Sequence, residues 1–338
     1  LGWKSQAMPR SAPECQATGR CLQGCPSGGK LSMEASYVPA AQSGGAKLRL
    51  EHRADKILFE KDKAIGVSCF VSSKKRVNIR ARKGVLVACG VVHSPLLLMN
   101  SGIKHPLIGK YFQTHLSIGI CGLLDRPVRE IAGPPQGIEI SAFKGDNIKL
   151  ATQLLPPELL LSRGPLAGRE LVDLLQEKEK LSCWTVSVPS EANGTVSRNF
   201  TGHSAIKFNP TQKDLFRVRS GLRALGNLLF EMGATRVFPG VMGRIGIPSD
   251  LRNPEANNAI RSIPLDSRNF VMSAAHLFGT CRMGSDTSKS VVDENFNVRG
   301  TKNLKVIDAS VFPTPIGVNP QHAIMSLAGV AAHRLLET

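Results

Sequence analysis

The sequence predicts a mixed α/β (α+β) protein: an open, partly parallel α/β unit interrupted by a region of antiparallel sheet. Three observations carry this. The run "GVLVA" (84–88) is apolar throughout, as in strands buried on both faces of a parallel sheet, and Gly90 then leads into a short apolar helical stretch. Between residues 112 and 265 the texture changes to short strand-like runs such as "LSIGICGLL", "NIKLATQLL", "CWTVSVPSE" and "SAIKFN". After 265 the chain returns to a glycine-rich region ending in another buried strand, "NLKVIDAS" (303–310). The middle therefore reads as a domain inserted in another, with predicted segments 1–111, 112–265 and 266–338.

Taken in order, residues 47–71 alternate apolar and polar side chains around a polar "EKDK" turn, which predicts a β-hairpin. "RVNIRARKGVLVACG" continues as an exposed strand and then a buried one. In "HSPLLLMNSGI", Ser94 is placed as a helix N-cap, Pro95 as the first helical residue and Gly102 as the residue just past the helix end. The inserted region is expected to be antiparallel sheet with helices on one side, the helices falling near 167–180 and 212–232. After "NLKVIDAS", Asn319 is predicted to cap a last helix with Pro320 at its first position. Ile324, Leu327, Ala328, Ala331 and Leu335 form its apolar face.

The bulk properties narrow the class. Hydrophobic residues make up 42% of 338, enough for a sizeable core. The longest apolar run, "GVLVACGVVHSPLLLM", is interrupted by His93 and Pro95 and falls short of the roughly 18–20 apolar residues of a membrane span. No secretory signal is visible, so the reading is a soluble protein, cytoplasmic or periplasmic. A net charge of +17 raises nucleic-acid binding as a function. The basic residues are dispersed in short groups such as "SSKKRVNIRARK" and aromatics total 5%, which favours a solvated face and no nucleic-acid partner. Of eight cysteines, Cys69, Cys89, Cys121, Cys183 and Cys281 stand alone, a pattern of reduced, mostly buried thiols.

Two features point to chemistry. Asp308 closes a buried strand, and ligands of open α/β sheets bind at that end. The helix beginning at Pro320 presents free N–H groups and a partial positive charge, a setting that stabilises an anion. These lie within "HLFGTCRMG" (276–284) and "VVDENFNVRGTKNLKVIDASVFPTPIGVNPQHAIMSLA", which together resemble the C-terminal signature of the glucose–methanol–choline (GMC) flavin oxidoreductases. "ACGVVHSPLLLMNSGI" (88–103) resembles the family's second signature, and "KLSMEASYVPAAQSGGAKLRLEHRADKILFEKDKAIGV" the segment joining it to the flavin site. The resemblance spans residues 15–110 and 265–338; the middle is similar only in size and texture.

The resemblance implies an FAD-dependent oxidoreductase that acts on CH–OH groups by hydride transfer to flavin N5. On it, His276 matches the catalytic base and Asn319 the group that holds the alcohol oxygen, with His322, one turn on, as the alternative. Implied cofactor contacts are Asp308, Ala309, Pro320 and Gln321 near the flavin, Ser94 beside the turn, and Ala54 where backbone meets adenine. Gly279 and Gly284 would allow close backbone approach, and Arg282 would orient the loop. Cys281 reads as a packed thiol. The implied partners are a small-molecule alcohol and oxygen, a quinone or a cytochrome as electron acceptor. A lipophilic alcohol or sterol would suit "LLPPELLLSRGPLAG", although a core strand or an interface explains that run equally well.

Two departures qualify the resemblance. No GxGxxG turn is present, so the chain is expected to be a C-terminal portion of a longer protein, completed by a missing N-terminal region or partner chain, or an inactive or complementing fragment. "CQATGRCLQGCPSGGK" places Cys15, Cys21 and Cys25 at intervals too irregular for a ferredoxin run and without a fourth ligand, so it reads as structural, with an iron–sulfur protein as the weaker alternative.

Overall fold

A computed structural model of the chain describes residues 1–72, 75–128, 135–153, 168–242 and 251–337. The proposed lipophilic run "LLPPELLLSRGPLAG" lies almost entirely outside them. The chain divides into two compact units, each assembled from three segments: Leu1–Lys47, Leu116–Val188 and Pro210–Ala274 in the first, Leu48–His115, Pro189–Asn209 and Ala275–Thr338 in the second.

The first unit is built on an antiparallel sheet. Its strands are β1 (Ser5–Ala7), β6 (Gln113–Leu124), β7 (Ile138–Ile140), β8 (Lys149–Thr152), β9 (Leu181–Pro189), β12 (Ala234–Phe238) and β13 (Met272–Ser273), in the order β1-β7-β8-β9-β6-β12 with β13 also on β6. Short helices α1 (Tyr37–Ser43), α3 (Gly168–Gln176) and α5 (Pro254–Asn257) accompany the long α4 (Gln212–Glu231). Helix α4 starts where predicted because Thr211 and Asp214 form a reciprocal capping box. Leu215, Val218, Leu222, Leu225 and Leu229 then recur at helical spacing and are buried. Gly221 lets the helix lie close on the sheet: a Cβ there would fall 2.5 Å from Val186 Cγ1 of β9.

The expectation of helices on one side of this sheet is corrected. In β6, Ile118, Ile120 and Leu124 are buried on the face where a Cβ at Gly122 would meet Leu229 of α4. Cys121 and Leu123 point to the other face, where they cluster with Leu174 of α3, Leu181, Cys183 and Phe238. Both faces are covered, which explains why "LSIGICGLL" lacks alternation.

The second unit contains the antiparallel meander β2 (His52–Glu60), β3 (Lys63–Val71) and β4 (Lys75–Arg80), so the predicted hairpin turns within "EKDK". Strand β5 (Val85–Val87) pairs in parallel with β15 (Leu304–Val306). Residues 113–115 of β6 pair with β14 (Leu277–Phe278), and β10 (Thr195–Arg198) pairs with β11 (Ser204–Lys207). Val85, Val87, Leu97, Leu98, Cys281, Val291, Leu304 and Val306 share one core. Strand β5 is covered on one face only: Leu86, between the two buried valines, is 53% exposed, which corrects the two-sided burial expected of "GVLVA".

Helix α2 (Gly90–Asn100) corrects the predicted cap. It begins five residues earlier than Pro95 and carries that proline inside it. Proline removes the bond that the Val91 carbonyl would accept. Thr280 replaces it, its hydroxyl donating to Val91 O at 2.6 Å. The helix ends at Asn100, with Gly102 just beyond it as predicted. Helix α6 (Gln321–Leu336) starts one residue after the predicted position, with Pro320 rather than Asn319 as its cap. Only Ala331 of its predicted apolar face is fully buried, while Leu327 packs against the unit's core.

Candidate active site

All the sequence-predicted site residues fall in the second unit. Asp308 follows β15 and is 8% exposed. Its Oδ2 accepts from the Gly90 backbone N–H at 2.9 Å and from the Ser94 hydroxyl, and its Oδ1 accepts from Ser310 N–H at 2.7 Å. Ser94 Oγ in turn accepts from Cys89 N–H at 3.0 Å. A carboxylate reaching across from β15 thus caps α2 in place of a local side chain. Ser94 is fully buried within this network, and Ala309 opens the turn Ala309–Val311 and packs against the Val91, Leu96, Phe112 and Val196 cluster.

His276 is held by strand pairing at both levels of its structure. Its carbonyl accepts from His115 N–H at 3.1 Å and from the Thr114 hydroxyl at 2.9 Å. Its imidazole Nδ1 lies 3.0 Å from Nδ1 of His115, the two rings being nearly perpendicular at 86°. His115 is 3% exposed and also neighbours the Phe278 ring, whereas His276 is half-buried. Gly279 follows with φ +95°, and a Cβ there would sit 2.1 Å from Tyr111 O, so no other residue fits without moving that backbone. Gly284 has no comparable demand, since the nearest contact to a Cβ would be 3.4 Å. Arg282 lies over the Tyr111 ring at 4.9 Å, a cation–π contact. Cys281 is fully buried, and burial pushes its thiol far up, consistent with a packed residue.

Asn319 and Gln321 are exposed on either side of the buried Pro320, and His322 is exposed in the first turn of α6. Ala54 is exposed at an irregularity in the β2–β3 register and lines a cavity of about 770 Å³. The cavity wall also contains Arg53, Cys89, His93, Asn100, Arg198 and His203, and Cys89 places it at the carboxyl end of β5. Arg198 is set in that wall by donating from Nε to Asn100 Oδ1 at 2.8 Å and from Nη1 to the Gly202 carbonyl.

Sequence reasoning missed His115 and the Arg198–His203 segment. His115 sits in an apolar strand run and meets a residue 161 positions away, so no local pattern marks it. Among the described residues no group of three or more metal-ligating side chains is arranged to hold a metal, the Cys15, Cys21 and Cys25 segment included.

The cavity is in the size range of ligand sites, roughly 300–1,000 Å³, and lies at the carboxyl end of a parallel strand, where α/β proteins bind their ligands. Two family models described as GMC oxidoreductase match residues 1–117 and 190–328, and the chain belongs to that family. An uncharacterised GMC-type oxidoreductase of Mycobacterium tuberculosis is 30% identical over 97% of the chain and 51% of its own length. A long-chain-alcohol oxidase of Arabidopsis thaliana is 25% identical over 100% of the chain and 48% of its own length. An oxygen-dependent choline dehydrogenase of Pseudomonas putida is 28% identical over 79% and 52%. The chain thus spans about half the length of these curated relatives. Pyridoxine 4-oxidase from Mesorbium loti has a similar fold, with a TM-score of 0.70 at 17% identity over 92% of this chain and 62% of that one. No helix among the described residues is long and apolar enough to cross a membrane.

Proposed function

We propose that the protein is an FAD-dependent oxidoreductase that oxidises an alcohol to an aldehyde or ketone. The observation that carries this is the placement of His276, a half-buried imidazole held at its carbonyl by two donors and at Nδ1 by a second ring. An imidazole held in place this way suits general-base work near neutral pH. FAD, when bound, supplies the hydride acceptor at flavin N5.

His276 takes the hydroxyl proton, and the Asn319 amide donates to the alcohol oxygen. Pro320, Gln321 and the start of α6 would hold the anionic edge of the flavin, where a helix dipole favours negative charge. Ala309 would contact the flavin. Asp308 and Ser94 act one step back, because their polar atoms are already bonded within the protein. Ala54 would contact the adenine in the cavity, and Arg53 and Arg198, which line the same wall, would offer charge to the diphosphate. The cavity's volume, and a wall in which Arg53 and Arg198 outnumber the carboxylate of Asp55, support such a group. Oxidases among the relatives favour molecular oxygen as acceptor, with a quinone or cytochrome as alternatives, and a small alcohol as substrate.

Titration with FAD, followed by quenching of flavin fluorescence, tests the cofactor; an unquenched signal at saturating protein overturns the reading for this chain. In flavin-loaded protein, His276→Ala is expected to retain flavin and slow its reduction by alcohol about 10²–10⁴-fold. An undiminished reduction rate would remove His276 from the chemistry.

A further inference from the structure

Cys121 of β6 and Cys183 of β9 stand 62 positions apart in the sequence and meet in the fold. The Cys121 thiol points at Cys183 Sγ from 2.6 Å, about half an ångström beyond a covalent S–S bond of ~2.05 Å. Both residues are unlinked, and both are buried in the cluster that also holds Leu174, Leu181 and Phe238.

The strand register accounts for the meeting. Strands β6 and β9 are neighbours in the sheet. Just past β9, the Ser190 N–H donates to Thr114 O at 2.8 Å, and further along the pair Ser117 Oγ lies 3.2 Å from Ser187 Oγ. Each step forward along β6 is matched by an equal step back along β9, so the strands run antiparallel and Cys183 falls directly across from Cys121. Thr114 and Ser190 form a hydrogen-bonded pair, and Cys121 lies an odd number of residues from Thr114, which makes its own pair a non-hydrogen-bonded one. Cys183 agrees with this, because its carbonyl is turned away from β6 and accepts from Gln153 N–H at 2.9 Å on the β8 side. Non-hydrogen-bonded pairs bring their Cα atoms to about 4.5 Å, within the roughly 4.4–6.8 Å that a disulfide bridges.

We propose that Cys121 and Cys183 are a dithiol that a peroxide converts to an intramolecular disulfide, stapling β9 to β6. One sulfur attacks a peroxide oxygen, which breaks the O–O bond and leaves a sulfenic acid; the other sulfur displaces its hydroxyl, and the S–S bond forms. Two thiols are oxidised, one hydrogen peroxide is reduced, and the thiol hydrogens leave in two molecules of water. The step needs only that the two sulfurs be within reach of each other, and it is independent of the flavin chemistry proposed above. Burial makes the first attack slow beside that on the exposed Cys15. The second step is fast, since the partner sulfur is already in contact. The bond closes the stretch of chain that carries β7, β8 and α3, which removes freedom from the unfolded chain and steadies the sheet.

Peptide mapping tests this on the native sequence. The whole folded chain, first reduced and freed of reductant, is incubated with hydrogen peroxide, treated with catalase, unfolded in iodoacetamide and digested without reductant. The expected product is a linked pair of peptides containing Cys121 and Cys183, two hydrogens lighter than the separate peptides and parted by dithiothreitol. The urea midpoint is expected to rise on oxidation and to fall back on reduction, and Cys183→Ala to lack that reversible rise. Recovery of both cysteines as alkylated thiols, in protein whose Cys15 has been oxidised, overturns the proposal even if the alanine variant does not fold. So does either cysteine linked to a third one, or sulfinic acid at Cys121 beside an alkylated Cys183. A linked pair that leaves the midpoint unchanged overturns the stapling of the sheet.

Discussion

Thr280 and Asp308 each supply, from elsewhere in the chain, a hydrogen bond that α2 cannot make for itself. Replacing Thr280 by Val keeps the shape but leaves the Val91 carbonyl, deprived of its helical partner by Pro95, without the 2.6 Å donor. The expected cost is ~1–3 kcal/mol in urea denaturation, the range for a buried polar group left unsatisfied. A loss below a few tenths of a kcal/mol would mean that Val91 O finds another partner. The cysteines make a second residue-scale case. The Ser27 hydroxyl beside Cys25 lowers that thiol from its ordinary value. Local burial of the thiol, then the negative charge of Asp308, raise Cys89 although the residue reaches the surface. Since the thiolate is the nucleophile, the lowered group reacts more at neutral pH and the raised one less. Iodoacetamide at pH 7 is therefore expected to label Cys25 before Cys89 and to leave Cys281 unlabelled, with the gap between Cys25 and Cys89 narrowing as pH rises. Peptide mapping that finds Cys89 labelled first would contradict this order.

Helix α4 shows which elements were legible in the sequence and why. Its capping residues, Thr211 and Asp214, and its apolar repeat from Leu215 to Leu229 are local signals, and the helix lies where they place it. Leu222, fully buried in the middle of that repeat, is expected to cost about 2–5 kcal/mol on truncation to Ala, against roughly 1 kcal/mol for Thr211→Ala, read as shifts in denaturant midpoint. Near-equal losses would show that the cap, not the packed face, sets the helix's contribution. Elsewhere the deciding partner is distant. The start of α2 depends on Asp308, 218 positions from Gly90, so the local Ser-Pro pair misplaced the cap. Leu86 is exposed because a strand's second face is decided by what lies across it, which an apolar run does not report. His276 and Asn319 are singled out by the resemblance of their surrounding motifs, whereas His115 is not: it meets His276 only when residues 113–114 pair with 277–278.

At the scale of the molecule, three stretches remote in sequence, 53–55, 89–100 and 198–204, come together only in the folded second unit to line one cavity. The last of these comes from the middle of the sequence, where the family resemblance was weakest, and it contributes Arg198 and His203 to the wall. A ligand that binds the native cavity stabilises it by mass action, and the protection spreads to every segment that must be in place for binding. Hydrogen exchange measured with and without saturating FAD is therefore expected to slow in all three stretches together. Exchange in α4, in the other unit and away from the cavity wall, is expected to change less. ADP alone should reproduce the protection at 53–55 and 198–204 if Ala54, Arg53 and Arg198 hold the adenosine diphosphate part. That protection should weaken with added salt, because the diphosphate contacts are ionic and the chain as a whole carries a net charge of +17. Protection by FAD confined to 89–100, with no response to ADP, would move the nucleotide away from the β2 wall and withdraw Ala54 from the cofactor site.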